Sequence, residues 1–234
     1  MAVYCKTSGF VLKSKNRGEV DQLFTVFTEN IGKIKILARG IRKINSKLRG
    51  NFQLFNLCEI EFVQGKTYKT LTDAIVLNSF SEIKKNEGKL EIISEIADVA
   101  DSLIKDQDKD VAIWKLLEIT LERLANEDSE LIYYYFLWKL LEISGYKPEL
   151  YSCLLCHNRL KPKGLYFSSQ NGGLVCWNCF KEHQGLIEIL PDTVKVLRLI
   201  LEKNSKKIKI NQLVFKNLKQ VSNEFLSYIL AENS

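Results

Sequence analysis

Hydrophobic and polar positions change period near residue 80. Before it, apolar side chains recur at alternate positions in short runs, the spacing that puts one face of a β-strand on a core. The runs predict strands over residues 3–13, 22–28, 33–38, 50–63 and 67–76, with a bulge at Thr7-Ser8-Gly9 in the first. Asn16-Arg17-Gly18, Asn30-Ile31-Gly32 and Gln64-Gly65-Lys66 supply turns between them. Five short strands turning about every ten residues predict a small closed barrel, with the OB-fold the first candidate; an SH3-like barrel fits the strand count nearly as well.

From about Ser81 the period becomes helical. Residues 90–105 carry Ile92, Ile93, Ile96, Val99, Ala100 and Leu103 at three- and four-residue steps, and residues 111–124 repeat the pattern. Residues 131–143 are apolar on almost every face, with Tyr133, Tyr134, Tyr135, Phe136 and Trp138 nearly in a row. Such a helix is predicted to be central and buried, rather than to offer tyrosines for stacking. Gly145 suits its C-terminal cap. Pro191-Asp192 opens a helix to residue 202, and Asn211 caps a last one to residue 232 with Val214, Leu218, Val221, Phe225 and Ile229 on one face. The predicted class is α+β and multidomain: an OB-fold barrel over residues 1–80, a helical domain in two parts (81–150 and 186–234), and a cysteine-rich module over 151–185 inserted in it.

Charge sharpens this picture. Between Lys33 and Arg49 stand seven basic residues, Lys33, Lys35, Arg39, Arg42, Lys43, Lys47 and Arg49, and no Asp or Glu. Lys33, Lys35 and Leu37 share one parity and Ile34, Ile36 and Ala38 the other, which predicts a core face and a largely basic face toward water. Gly40 permits a change of direction into a basic loop over 42–49. A dense field of one sign on a strand and its loop is how a sheet module grips a polyanionic backbone; a charged edge that prevents aggregation is the bland alternative. Clustering without acids favours the polyanion, and the seven are the candidate nucleic-acid contacts. Phe24, Phe27, Phe52 and Phe55 are read as core before stacking residues.

The net charge of +6 divides unevenly: residues 1–80 carry 13 basic and 6 acidic side chains, 81–150 carry 9 and 16, and 151–234 carry 12 and 6. The acidic middle is expected to orient the molecule or meet a basic surface. Lys195, Arg198, Lys203, Lys206, Lys207 and Lys209 could receive an acidic peptide or more DNA. No signal-peptide pattern opens the sequence, and the longest apolar run, residues 131–138, is too short to span a bilayer. A cytoplasmic protein is expected, in which six cysteines point to metal or catalysis before disulfides.

Cys153-x-x-Cys156 and Cys176-x-x-Cys179, nineteen residues apart, are a zinc-knuckle pair. Four thiolates saturate a tetrahedral Zn2+ ion and leave no open position, so the predicted cofactor is one structural zinc. A hairpin is expected between the knuckles, with Tyr166-Phe167 on the way out, Gly172-Gly173 at the turn and Leu174-Val175 returning. A dithiol redox pair lacks its βαβ setting, and an iron–sulfur cluster fits the spacing less well. His157 and His183 stand nearby as alternative ligands, while Cys5 and Cys58 are read as buried thiols. No Walker A, GxGxxG, GxSxG or HExxH pattern is present, and Asp98, Asp101, Asp106, Asp108 and Asp110 are read as a solvated face before a magnesium site. The sequence does not read as an enzyme.

Taken together the motifs resemble the RecO family of bacterial recombination mediators. In the head the resemblance rests on Gly18-Glu19, Leu23-Phe24, Phe27-Thr28, Gly32-Lys33, Ala38-Arg39-Gly40, Arg42-Lys43, Ser46 and Arg49-Gly50. In the tail it rests on the two CxxC pairs with Phe167 and Gly172-Gly173 between them. The chain departs from the family at Ile44-Asn45 and Leu54, where prolines are frequent, and at His157, where glycine is usual. The resemblance implies an N-terminal OB-fold, a helical domain with a zinc module, and no catalysed reaction on a covalent bond. It further implies binding of single- and double-stranded DNA, strand annealing, and partnership with RecR and with the acidic tail of single-strand DNA-binding protein. The task it implies is loading of RecA at gaps, in the bacterial cytoplasm at the nucleoid. The competing class is an RNA-binding or ribosome-associated protein with a barrel and a zinc ribbon, and a zinc-dependent hydrolase is the third.

Overall fold

A computed structural model describes residues 4–65, 67–181, 185–202 and 208–232. His183, Lys203, Lys206 and Lys207 lie outside the described residues. The chain forms two compact units, which meet in sequence at Tyr133 and Tyr134.

The first unit opens with a closed barrel of β1 (Tyr4–Arg17), β2 (Asp21–Thr28), β3 (Gly32–Ala38), β4 (Leu57–Gln64) and β5 (Lys69–Asn78) in the order β1-β2-β3-β5-β4. The long β1 serves two neighbours: residues 4–10 pair with β4 and residues 9–17 with β2, the register shifting between Val11 and Lys13. The bulge thus falls a few residues later than the Thr7-Ser8-Gly9 position expected from sequence. A short parallel pairing, Ile36↔Lys69 and Leu37↔Thr70, closes the barrel. That closure and strand order are those of an OB-fold and separate it from the SH3-like alternative. Phe24, Val26, Ile34, Ile36, Ile60 and Phe62 fill the interior, each worth roughly 1.5–3 kcal/mol when fully buried.

The alternation of β3 holds on its inner side only. Lys33 is buried, its ammonium donating to the Asp101 carbonyl at 2.5 Å and lying 3.4 and 3.5 Å from the Asp101 and Asp106 carboxylates. The expectation that Lys33 faces water is therefore corrected: residues 101–108 cover the start of β3, and Gln107 N–H donates to the Lys33 carbonyl at 2.8 Å. Gly32, at φ +79°, is required there, since a Cβ would lie 2.2 Å from the Asp108 carbonyl oxygen. The fourth strand also starts later than predicted, at Leu57, because residues 39–56 form a chain of turns.

After the short α1 (Ser81–Lys84) come α2 (Glu87–Leu103) and α3 (Val111–Asn126). Asn86 and Asp110 cap them, accepting from Lys89 N and from Ala112 N and Ile113 N. Phe10 and Phe27, paired across β1 and β2, lie outside the barrel core and meet Trp114 of α3 at ring distances of 4.7 and 6.5 Å. Part of the acidic middle is matched within the chain, for Lys13 reaches Asp98 at 2.7 Å and Asp101 at 3.3 Å.

The second unit is built on α4 (Leu131–Ile143), whose first turn belongs to the first unit. Trp138 is fully buried; its indole N–H donates to Ser222 Oγ at 2.9 Å, and its ring stacks on Phe225 at 5.5 Å. Ser222 and Phe225 belong to α7 (Gln212–Glu232), which Asn211 starts by accepting from Val214 N. Tyr133, Tyr134 and Phe136 are also buried, so the aromatic run is core. Between α4 and α6 (Pro191–Leu201) lies a three-stranded sheet of β6 (Leu165–Ser168), β7 (Gly173–Cys176) and β8 (Ile187–Ile189), with α5 (Trp177–Phe180) following β7. The hairpin forms as the glycine pair predicts, and its Phe167 packs edge-on against both Trp138 and Phe225.

Candidate nucleic-acid interface and metal centre

Residues 39–56 hang on the barrel by apolar anchors. Ile41 and Phe52 are buried in its core, and Leu48 and Leu54 pack against it. Successive turns, Lys43 N–H to Gly40 O, Ser46 N–H to Lys43 O and Arg49 N–H to Ser46 O, fold the loop upon itself. Two bonds tie its first residues to the β1–β2 turn and β2: Asp21 accepts from Gly40 N at 2.7 Å, and Arg42 N–H donates to the Val20 carbonyl at 3.0 Å. Ile41, Leu48, Phe52 and Leu54 face inward, whereas Ile44 is exposed, and Arg42, Lys43, Lys47 and Arg49 project into solvent, as do Lys35 and Arg39 before them. Six of the seven predicted basic residues are therefore exposed along β3 and its following loop, and Lys33 is not. Arg42 Nη1 also donates to the Glu19 carbonyl at 3.0 Å, which orients that guanidinium.

A groove of about 610 Å³ runs beside this loop, with Arg42, Arg49, Gln22, Gln53 and Lys84 among its lining residues. Lys84 was not foreseen, because it lies on α1 beyond the barrel and nothing in its local sequence signals the approach. Its ammonium donates to Asn56 Oδ1, and burial pulls its pKa below the usual lysine range. Phe24, Phe27 and Phe52 are buried, and Phe55, at φ +63°, is half-buried. The groove is therefore polar and cationic at its rim, while its buried aromatic rings serve the core.

The four knuckle cysteines converge. Their sulfurs all lie within 4.8 Å of one another, with Cys156 Sγ and Cys176 Sγ 3.9 Å apart. A tetrahedral ion with metal–sulfur bonds of about 2.3 Å needs sulfurs about 3.8 Å apart, so the donor set fits. Among the described residues this is the only grouping of three or more ligating side chains. Burial pushes the Cys153 thiol up, but backbone N–H groups of Cys156, Cys176 and Leu155 outweigh it and bring the thiol down to about 6. Cys179 is pushed up to about 12 by burial and by its own hydrogen bonding to the Cys176, Cys156 and Cys153 sulfurs.

The first knuckle is braced from outside the cluster. Glu149 accepts from Tyr151 N at 2.7 Å and Ser152 N at 2.9 Å, and these bonds hold its carboxyl below the usual range. His157 adopts φ +56°, the left-handed conformation that glycine takes with least strain; its backbone N–H donates to the Cys153 carbonyl. Cys58 is buried, which pushes its thiol up to about 11, and Cys5 is half-buried; neither belongs to the cluster. In the C-terminal basic group, Arg198 is committed to the Leu150 carbonyl and the Tyr151 ring, and Lys195 to Asp192 at 2.9 Å.

Two family models match the chain: Recombination protein O N terminal over residues 1–80 and Recombination protein O C terminal over residues 89–233. A protein of Dehalococcoides mccartyi named DNA repair protein RecO is 33% identical over 229 residues, covering 96% of this chain and 90% of that one. Proteins of the same name from Acetivibrio thermocellus and Alkaliphilus metalliredigens are 30% and 29% identical, covering 98% and 94% of this chain and 93% and 92% of theirs. No helix among the described residues is long and apolar enough to cross a membrane.

Proposed function

This chain belongs to the RecO family, and from that premise we propose that it is a non-enzymatic DNA-binding mediator of recombination repair. The observation that carries the reading is the exposed surface of Lys35, Arg39, Arg42, Lys43, Lys47 and Arg49, set on a barrel whose inward anchors leave those charges free for phosphates. Phosphates carry no sequence information, so binding is sequence-independent and takes both single and double strands. Annealing follows, because a basic surface screens the repulsion between two strands while pairing begins. The four-cysteine cluster holds one structural zinc, which closes the knuckles and supplies no open coordination site. RecR and the acidic tail of single-strand DNA-binding protein are its partners, and loading of RecA at gaps in the bacterial cytoplasm is its task.

The test is fluorescence anisotropy of a labelled single-stranded oligonucleotide across a salt series. Six phosphate contacts give a slope of log affinity against log salt of about −4, and Arg39→Ala/Arg42→Ala should flatten it to about −3 while folding is retained. A double variant that binds with unchanged affinity and slope removes the loop from the site. A marked preference for structured RNA over single-stranded DNA would favour the RNA-binding class instead.

A further inference from the structure

The acid-free charge of the basic loop has a counterpart in the metal module. From residue 150 to residue 181 there is no Asp or Glu, but there are Arg159, Lys161, Lys163 and Lys181. Three of these line a cleft of about 1020 Å³ together with Tyr166, Trp177 and Glu188. The rings form a shelf: Tyr166 and Phe180 lie face to face at 3.6 Å and 8°, and Trp177 is stacked beside Phe180 at 6.0 Å and 24°. Tyr166 is nearly covered, whereas Trp177 is 49% exposed. Gly164 lets the chain run flush against it, for a Cβ there would come within 2.9 Å of Trp177 Cβ. Lys181 Nζ lies 5.7 Å from the Trp177 ring.

We propose that this cleft is a second nucleic-acid site, in which an unpaired base stacks on Trp177 while Arg159, Lys161 and Lys163 hold the flanking phosphates. Charge decides between this and a purely electrostatic surface. A divalent ion held by four thiolates would carry two net negative charges, and Glu188 adds another, so the three cations that line the cleft, with Lys181 beside the Trp177 ring, leave little net positive charge. Duplex DNA, whose bases are stacked inside, gains little from such a surface. A single strand gains the stacking of one base, a contact that tolerates any base. The metal module thus adds a preference for single strands to a basic loop that grips either form, and it does so independently of the loop.

The experiment uses the full, zinc-loaded chain and an oligothymidine about 15 nucleotides long. Trp138 is fully buried and Trp114 packs on Phe10, so the exposed Trp177 is the tryptophan whose emission a stacked base quenches. Oligothymidine should quench the wild-type emission, and Trp177→Phe should abolish the quench. Trp177→Ala should weaken single-strand affinity roughly five- to one-hundred-fold and leave duplex affinity unchanged. If Trp177→Ala fails to retain zinc, Lys161→Glu/Lys163→Glu replaces it, with the same selective loss expected. Arg39→Ala/Arg42→Ala should leave the quench at saturation intact, so failure of the loop reading and of this one remain distinct. Absence of a wild-type quench, a parallel loss of duplex binding, or quenching by an acidic peptide but not by oligothymidine overturns the proposal.

Discussion

Lys33→Met and Lys35→Ala, two residues apart on one strand, should give opposite results in two assays. The Lys33 ammonium is buried and donates to the Asp101 carbonyl at 2.5 Å, a charge-assisted bond contributing about 1.5–3 kcal/mol. Its contacts with the Asp101 and Asp106 carboxylates are longer, 3.4 and 3.5 Å, and those side chains are 29% and 55% exposed, so screening leaves them a few tenths of a kcal/mol. Methionine keeps the apolar stem of the side chain, so the expected loss is about 2 kcal/mol, nearly all from the ammonium–carbonyl bond. In a unit of this size that lowers the melting temperature by roughly 5–10 °C. Urea unfolding should show the shift in midpoint, while anisotropy at a temperature where the variant is folded should show wild-type affinity for single-stranded DNA. Lys35→Ala should do the reverse, with unchanged stability and weaker, less salt-dependent binding. Equal loss of DNA affinity in the two variants, or a Lys33→Met chain as stable as wild type, would refute the reasoning.

Other outcomes follow from the second unit. Chelation, or Cys153→Ser, should release one zinc per chain and lower the unfolding temperature of residues 134–232, because the module's own cluster has just Cys153, Tyr166 and Val175 fully buried among the described residues, under partly buried Leu154, Leu160, Phe180 and Leu186; calorimetry that registers no change on metal loss would count against a structural ion. Ser222→Ala strands the buried Trp138 N–H and should cost about 1–3 kcal/mol, read as a lower urea midpoint. Glu149→Ala should cost about 1 kcal/mol at neutral pH after allowance for its exposure. Since the folded-state pKa of Glu149 is depressed, its contribution is present above the ordinary carboxylate value and disappears as pH falls through the folded one; the stabilities of variant and wild type should converge in acid. A gap that persists at low pH would show that the bonds to Tyr151 and Ser152 are not its source.

What the sequence disclosed was whatever depends on near neighbours. Alternation located all five barrel strands, the Asn211 cap and the helical spacing of α2 and α3 were readable, and the two CxxC pairs with their glycine turn announced the hairpin and the cluster. What it hid depends on partners far along the chain. Lys33 has the parity of an exposed residue and is buried by Asp101, 68 positions away. The parallel β3–β5 contact that distinguishes an OB-fold leaves no periodic trace. Residues 50–56 hold apolar side chains that read as strand, yet Phe52 and Leu54 serve as anchors beneath a loop. β8, three residues long, is too short for its alternation to stand out. Lys84 and the shelf of Tyr166, Phe180 and Trp177 likewise exist only once the chain has folded.

The arrangement of residues 39–56 also bears on how such a protein changes over generations. Ile41, Leu48 and Phe52 fix the path of the loop from beneath together with its backbone turns, and of the cationic side chains between them only that of Arg42, at the Glu19 carbonyl, is bonded back to the barrel among the described residues. A single codon change can therefore add, remove or move a charge without disturbing the barrel. Were those charges the DNA contacts proposed above, such a change would alter the strength of grip while the anchors kept the shape constant.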